Sequence, residues 1–214
     1  VRAPMCEVFK SLAAKSEPHA AAAVATTYFA LVSSTLEPEL GRSLHEKLLD
    51  GNRHFDVPAS TETVIELIMA QLDGRVACFE RNKDHGLGPC GVRNVSLPPE
   101  AGIQGNWDSF ELSFMETLCG SLGVRLHELH PDARRIHLNS QLRFRAASND
   151  RAYGIDDSKK PKLNDSVAAE LHRRYPEFVL VRMQPPDEAM EERQADAVAP
   201  LLSGELLPKS KRRP

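Results

Sequence analysis

Residues 136–145 alternate apolar and polar side chains without a break. Ile136, Leu138, Leu142 and Phe144 share one parity, with the small Ser140 among them, and His137, Asn139, Gln141, Arg143 and Arg145 share the other. A strand sends successive side chains to opposite faces, so a period of two predicts a half-buried β-strand with a basic outer face. The preceding His130-Pro131-Asp132 reads as the turn into it.

The first 74 residues follow a period of 3.6 instead. Met5, Val8, Phe9 and Leu12 mark one helix face after Pro4, and a second helix is expected over residues 17–36. A third opens at Pro38 with Leu40, Leu44 and Leu48 at four-residue steps and ends at Gly51. Ser60 is placed to cap a fourth, carrying Val64, Ile65, Ile68, Met69 and Leu72 on one side.

After Gly74 the pattern changes. Residues 75–80 are compatible with a strand, and residues 82–106 read as an irregular loop with five glycines and three prolines. A helix is expected over residues 108–121, a strand over 124–129 and the alternating strand over 136–145. Residues 151–162 look polar and irregular. A helix from Asn164 or Asp165 to Tyr175 follows, then the apolar run 178–181, which is apolar on both faces as a central strand would be. Pro185-Pro186-Asp187 starts a last helix.

The order β-α-β-β-α-β from residue 75 predicts a ferredoxin-like (βαββαβ) α+β fold, an antiparallel sheet with helices on one face. The chain accordingly divides into a helical segment, residues 1–74, an α+β body, residues 75–184, and a C-terminal helix with a basic tail, residues 185–214.

Composition narrows the function classes. Hydrophobic residues make up 41% and charged residues 27%, as in ordinary globular proteins, and a net charge of −3 argues against wholesale coating of nucleic acid. Aromatics are 6%, too few for a base-stacking platform. The four scattered cysteines, Cys6, Cys78, Cys90 and Cys119, are expected as reduced thiols. No apolar run reaches the roughly 18 to 20 residues of a membrane helix. The chain opens Val1-Arg2-Ala3-Pro4 with no methionine, which reads as a processed or trimmed chain, a removed transit peptide being one explanation among others.

Candidate chemistry is thin. Residues 86–91 spell G-x-G-x-x-G, but no helix pattern follows to offer its N-terminus to a phosphate, so no cofactor is expected. Cys78, His85 and Cys90 lie close in sequence without the paired spacing of a zinc knuckle, so no metal is expected. They remain the best residues for a thiol- or metal-dependent enzyme. His127-Glu128-Leu129-His130 has its histidines three apart, not the four a zinc-protease helix needs. Cations cluster at Arg134, Arg135, Arg143 and Arg145 and again at Lys209, Lys211, Arg212 and Arg213, as partner-binding candidates.

The leading expectation is therefore a non-catalytic accessory subunit of a large protein assembly, with a mitochondrial energy-converting complex as a fitting setting and any membrane contact made through other subunits. The alternatives are a ribonucleoprotein component, as in an organellar ribosome, holding RNA through the basic strand face and tail, and the thiol enzyme above.

Overall fold

The computed structural model describes residues 8–9, 11–12, 23–24, 27–28, 31–32, 36–73, 78–82, 86–90, 93–126 and 129–202. In chain order these form α1 (Pro38–Leu49), β1 (His54–Pro58), α2 (Glu62–Leu72), β2 (Cys78–Asn82), β3 (Gly86–Cys90), β4 (Arg93–Asn94), α3 (Pro99–Gln104), α4 (Trp107–Leu122), α5 (Pro131–Ala147), β5 (Ala152–Asp157), α6 (Asp165–Arg174), β6 (Val179–Gln184) and α7 (Glu188–Leu202).

Four strands make one sheet in the order β1-β6-β5-β4, with every pair parallel. β2 and β3 form a separate antiparallel hairpin. The ferredoxin-like expectation is thus overturned: the sheet is parallel and helices cover both of its faces. Parallel neighbours need long crossovers, and here α3 to α5 connect β4 with β5 while α6 connects β5 with β6.

Two apolar clusters define the layers. Phe55, Val57, Tyr153, Ile155, Val179 and Val181 pack with α1, α2 and α7. On the opposite face, Ala152 and Leu180 pack with α4, α5 and α6. A sheet buried on both sides reads as continuous apolar sequence, which is why the run 178–181 signals a central strand. It becomes β6, between β1 and β5.

The alternating segment 136–145 is not a strand. It lies inside α5, which His130 caps by accepting from the Asp132 N–H at 3.4 Å and which Pro131 opens at its first position. In a ten-residue stretch, alternate positions also contain pairs four apart. Leu138 and Leu142 form one such pair and are buried, whereas Ile136, Ser140 and Phe144 form another set and are exposed. The helix period therefore splits what the strand period would have grouped.

Other departures have similar causes. His54–Pro58, inside the stretch read as helical, is the edge strand β1. Residues 151–162, read as irregular, contain the buried strand β5. Its Gly154 hides the strand signal, yet a Cβ there would meet Leu97 at 2.8 Å and Phe178 at 3.0 Å, so any larger residue would force the Leu97 side chain to shift. Residues 124–126 form no strand, and the expected loop over 82–106 includes β3, β4 and α3. Caps shift slightly: Thr61 rather than Ser60 caps α2, and Asn106 rather than Asp108 caps α4.

The exposed edge of β1 is blunted. Leu180 N–H donates to the Arg53 carbonyl at 2.8 Å and Ala59 N–H to the Gln184 carbonyl at 3.0 Å, so the backbone groups of His54, Asp56 and Pro58 face away from β6. His54 N–H is taken by Asn52 Oδ1 at 2.9 Å. Pro58 has no N–H, and its carbonyl accepts from the buried Gln194 side chain at 3.1 Å. Among the described residues no helix is long and apolar enough to cross a membrane.

Candidate interaction surface

The arginines singled out in the sequence sit on α5, where most of them turn inward. Arg134 Nε donates to the Leu126 carbonyl at 3.1 Å. Arg135 bridges Glu111 at 3.3 Å and Asp132 at 2.7 Å. Arg145 holds Asp150 at 2.7 Å and the Leu122 carbonyl at 3.0 Å. Only Arg143 of the four is exposed, and it pairs with no acid among the described residues. Lys209, Lys211, Arg212 and Arg213 lie outside the described residues.

Two of the acids these arginines meet, Glu111 and Asp150, are buried hubs. Glu111 accepts from Arg174 at 2.8 Å, Trp107 Nε1 at 3.0 Å and Tyr175 Oη at 3.1 Å, besides Arg135. Burial, and then the Glu111 charge, push the Tyr175 hydroxyl far above its ordinary value. Asp150 is gripped by Arg93 at 2.7 Å as well as by Arg145. Such charges are held because leaving one partner alone in the interior costs far more than the pair yields. Their role is to lock α4, α5 and α6 together.

Opposite this inward face, α5 presents Ala133, Ile136, Ser140, Phe144 and Ala147, all exposed, with His137 and Arg143 alongside. Ile136 is 71% exposed and Phe144 70%. The spacing of three and four places them on one stripe of the helix. Asp132, near its start, is engaged by Arg135.

The carboxyl ends of parallel strands are the usual place for a ligand in α/β proteins. Here Asp56, Arg182 and Asp156 lie in register across β1, β6 and β5. Asp156 is fully buried: Oδ1 accepts from the Lys162 N–H at 2.6 Å, and Oδ2 lies 3.7 Å from Arg182 Nε. Arg182 also reaches Asp165 at 3.2 Å, and Gln184 donates to Asp56 at 2.8 Å. The row is paired internally, with Asp156 Oδ2 making the ion pair but no hydrogen bond among the described residues. Nearby, His54 lines a small pocket with Arg53, Ala168, Leu171, His172, Phe178 and Leu180. Burial, aided by Arg182, lowers its pKa. No group of three ligating side chains among the described residues could hold a metal ion.

On the other face, Asn94 and Tyr153 are register partners, and Glu66 of α2 approaches them. Burial raises the Glu66 carboxyl to about 7, against a hydrogen bond from Asn94 that lowers it. Tyr153 is fully buried, its hydroxyl has no hydrogen-bond partner among the described residues, and burial followed by the Glu66 charge raises its pKa. Nothing in the sequence pattern separates Glu66 from a solvated helix acid, because its neighbours Ile65 and Leu67 are the only local signal of burial.

The hairpin places parts of two motifs. Residues 86–90 of the glycine-rich G-x-G-x-x-G motif form β3 itself, so no helix opens from it. Cys78 and Cys90 are register partners across β2 and β3, while His85 lies outside the described residues. Cys119 is buried on α4, and burial raises its thiol pKa, which leaves a poor nucleophile. His127 and Glu128 lie outside the described residues, and His130 serves as the α5 cap.

Comparison of the chain with protein-family models, with curated proteins and with solved structures found no match. A functional reading therefore rests on the residues described above.

Proposed function

We propose that the chain is a non-catalytic accessory subunit of a larger protein assembly, docking through the outer face of α5. The supporting observation is the exposure of Ile136 and Phe144 on a helix whose opposite side already supplies the core. Ser140 between them and Ala133 and Ala147 beyond let a partner approach closely, and burying two such side chains contributes about 1.5–3 kcal/mol each. Arg143 borders the strip, and Asp132 is engaged by Arg135. The complementary partner is an apolar ridge bordered by carboxylates, since burying Arg143 against an acid offsets its desolvation.

The RNA alternative loses ground on the same helix, because Arg134, Arg135 and Arg145 are committed to internal acceptors. A mitochondrial setting rests on the sequence reading alone and is a matter for cell fractionation.

Size-exclusion chromatography of native extract provides the test. The wild-type chain is expected in a species well above its own 23.7 kDa. The Ile136→Ser, Phe144→Glu double variant is expected to run as the free chain with unchanged helix content by circular dichroism. Wild-type elution at monomer mass overturns the proposal, as does co-elution of the variant with wild type. Collapse of the large species under ribonuclease would transfer the reading to RNA.

A further inference from the structure

The β2–β3 hairpin pairs Cys78 with Cys90, Phe79 with Pro89, Glu80 with Gly88, Arg81 with Leu87 and Asn82 with Gly86. The cysteine pair is the rung farthest from the turn, at the open end of the ladder. Opposed positions in an antiparallel ladder have Cα atoms about 4.5–5.5 Å apart. A disulfide spans Cα separations of about 4.4–6.8 Å. The two cysteines thus occupy opposed positions whose usual backbone spacing falls within the span of a disulfide.

The hairpin also has reason to need a fastening. β3 reads Gly-Leu-Gly-Pro-Cys, and glycine and proline are among the poorest strand formers. A two-stranded ribbon is marginal by itself even with good strand residues. Three residues beyond Cys90 the chain enters β4, which joins the sheet through Arg93 and Asn94 only. A loose hairpin would therefore loosen the entry to an edge strand. Cys119 is no competitor, being buried among the α4, α5 and α6 side chains.

We propose that Cys78 and Cys90 form a reversible cross-strand disulfide that clasps the open end of the hairpin, set by exchange with a low-molecular-weight disulfide. The thiolate of one cysteine attacks the small disulfide, forming a mixed disulfide and expelling one small thiolate. The second cysteine then attacks the protein sulfur of that bond and expels the other. The two cysteines are oxidised by two electrons, the small disulfide is reduced to two thiols, and the two cysteine protons end on those thiols. The clasp reassigns the pair from a reactive centre to a fastening whose state follows the surrounding thiol pool.

The test equilibrates the full chain with mixtures of reduced and oxidised glutathione, quenches by alkylation and maps unreduced peptides by mass spectrometry. The expected result is a Cys78–Cys90 linked peptide, reversed by excess reduced glutathione. Its equilibrium constant should be at least tenfold higher in buffer than in urea, because the ladder raises the effective concentration of one thiol at the other. A Cys6→Ser, Cys119→Ser variant should behave the same way. Equal linkage in buffer and urea overturns the proposal. So do persistent glutathione adducts on either cysteine, or links from either to Cys6 or Cys119.

Discussion

Glu66 holds its proton longer when folded than when unfolded, and the sign of that difference sets a pH dependence. Its folded value of about 7 lies above the ordinary 4.5, so the unfolded chain ionises first as pH rises. Stability is therefore lost between about pH 4.5 and pH 7 and is level above that window. At about 1.4 kcal/mol per unit, the full effect is roughly 3 kcal/mol. Glu66→Gln removes the charge while retaining an amide of similar shape beside Asn94. We expect the variant to be more stable than wild type by about 2–3 kcal/mol at pH 8 and nearly equal at pH 4.5, read from urea unfolding at both. Greater stability of wild type at pH 8 would mean that the carboxyl is solvated.

At the scale of the element, α5 separates two readings of one pattern. If residues 136–145 were a strand, Ile136, Leu138, Leu142 and Phe144 would share the buried face. In the helix only Leu138 and Leu142 do. Leu138→Ala should therefore cost about 2–5 kcal/mol. Ile136→Ser with Phe144→Ser should change the stability of the isolated chain by no more than about 0.5 kcal/mol per site. Thermal melts of the two variants decide between them. The sequence held a clue for the helix, since Pro131 suits a first helical turn and Leu, Gln, Arg and Ala favour its interior. The alternation masks that clue because Ser140, at the centre of the segment, is small enough to fit the inward face of a strand. Elsewhere strong periodicity sufficed: α1, α2, α4, α6 and β6 are legible from apolar spacing and caps. β5 was not, because Gly154 and the buried Asp156 are residues that ordinarily mark loops.

For the whole molecule, the parallel arrangement was out of reach of local patterns. β1 meets β6 across more than a hundred residues, His54 opposite Leu180, and no periodicity within either strand records that partnership. The layers still leave a trace, because close approach between sheet and helices forces Gly154. Gly154→Ala should disturb Leu97 and Phe178 together and cost about 1–3 kcal/mol, measured by chemical denaturation. A neutral outcome would show that the layer has slack. The cation pattern was partly legible. The sequence reads the α5 cations as facing outward, whereas Arg135 is drawn in by Glu111 of α4 and Arg145 by Asp150 just past the end of α5, and only Arg143 stays exposed.

The way β1 ends bears on how copies of the chain coexist. A sheet margin with free donors and acceptors invites a neighbour to add a rung, the first step toward fibres. At this margin Asn52 has claimed one donor, Pro58 lacks another, and Gln194 has claimed an acceptor. At the far margin β4 contributes two residues, too short a template to extend. Both margins of this sheet thereby offer a second copy little continuous template for a shared ladder.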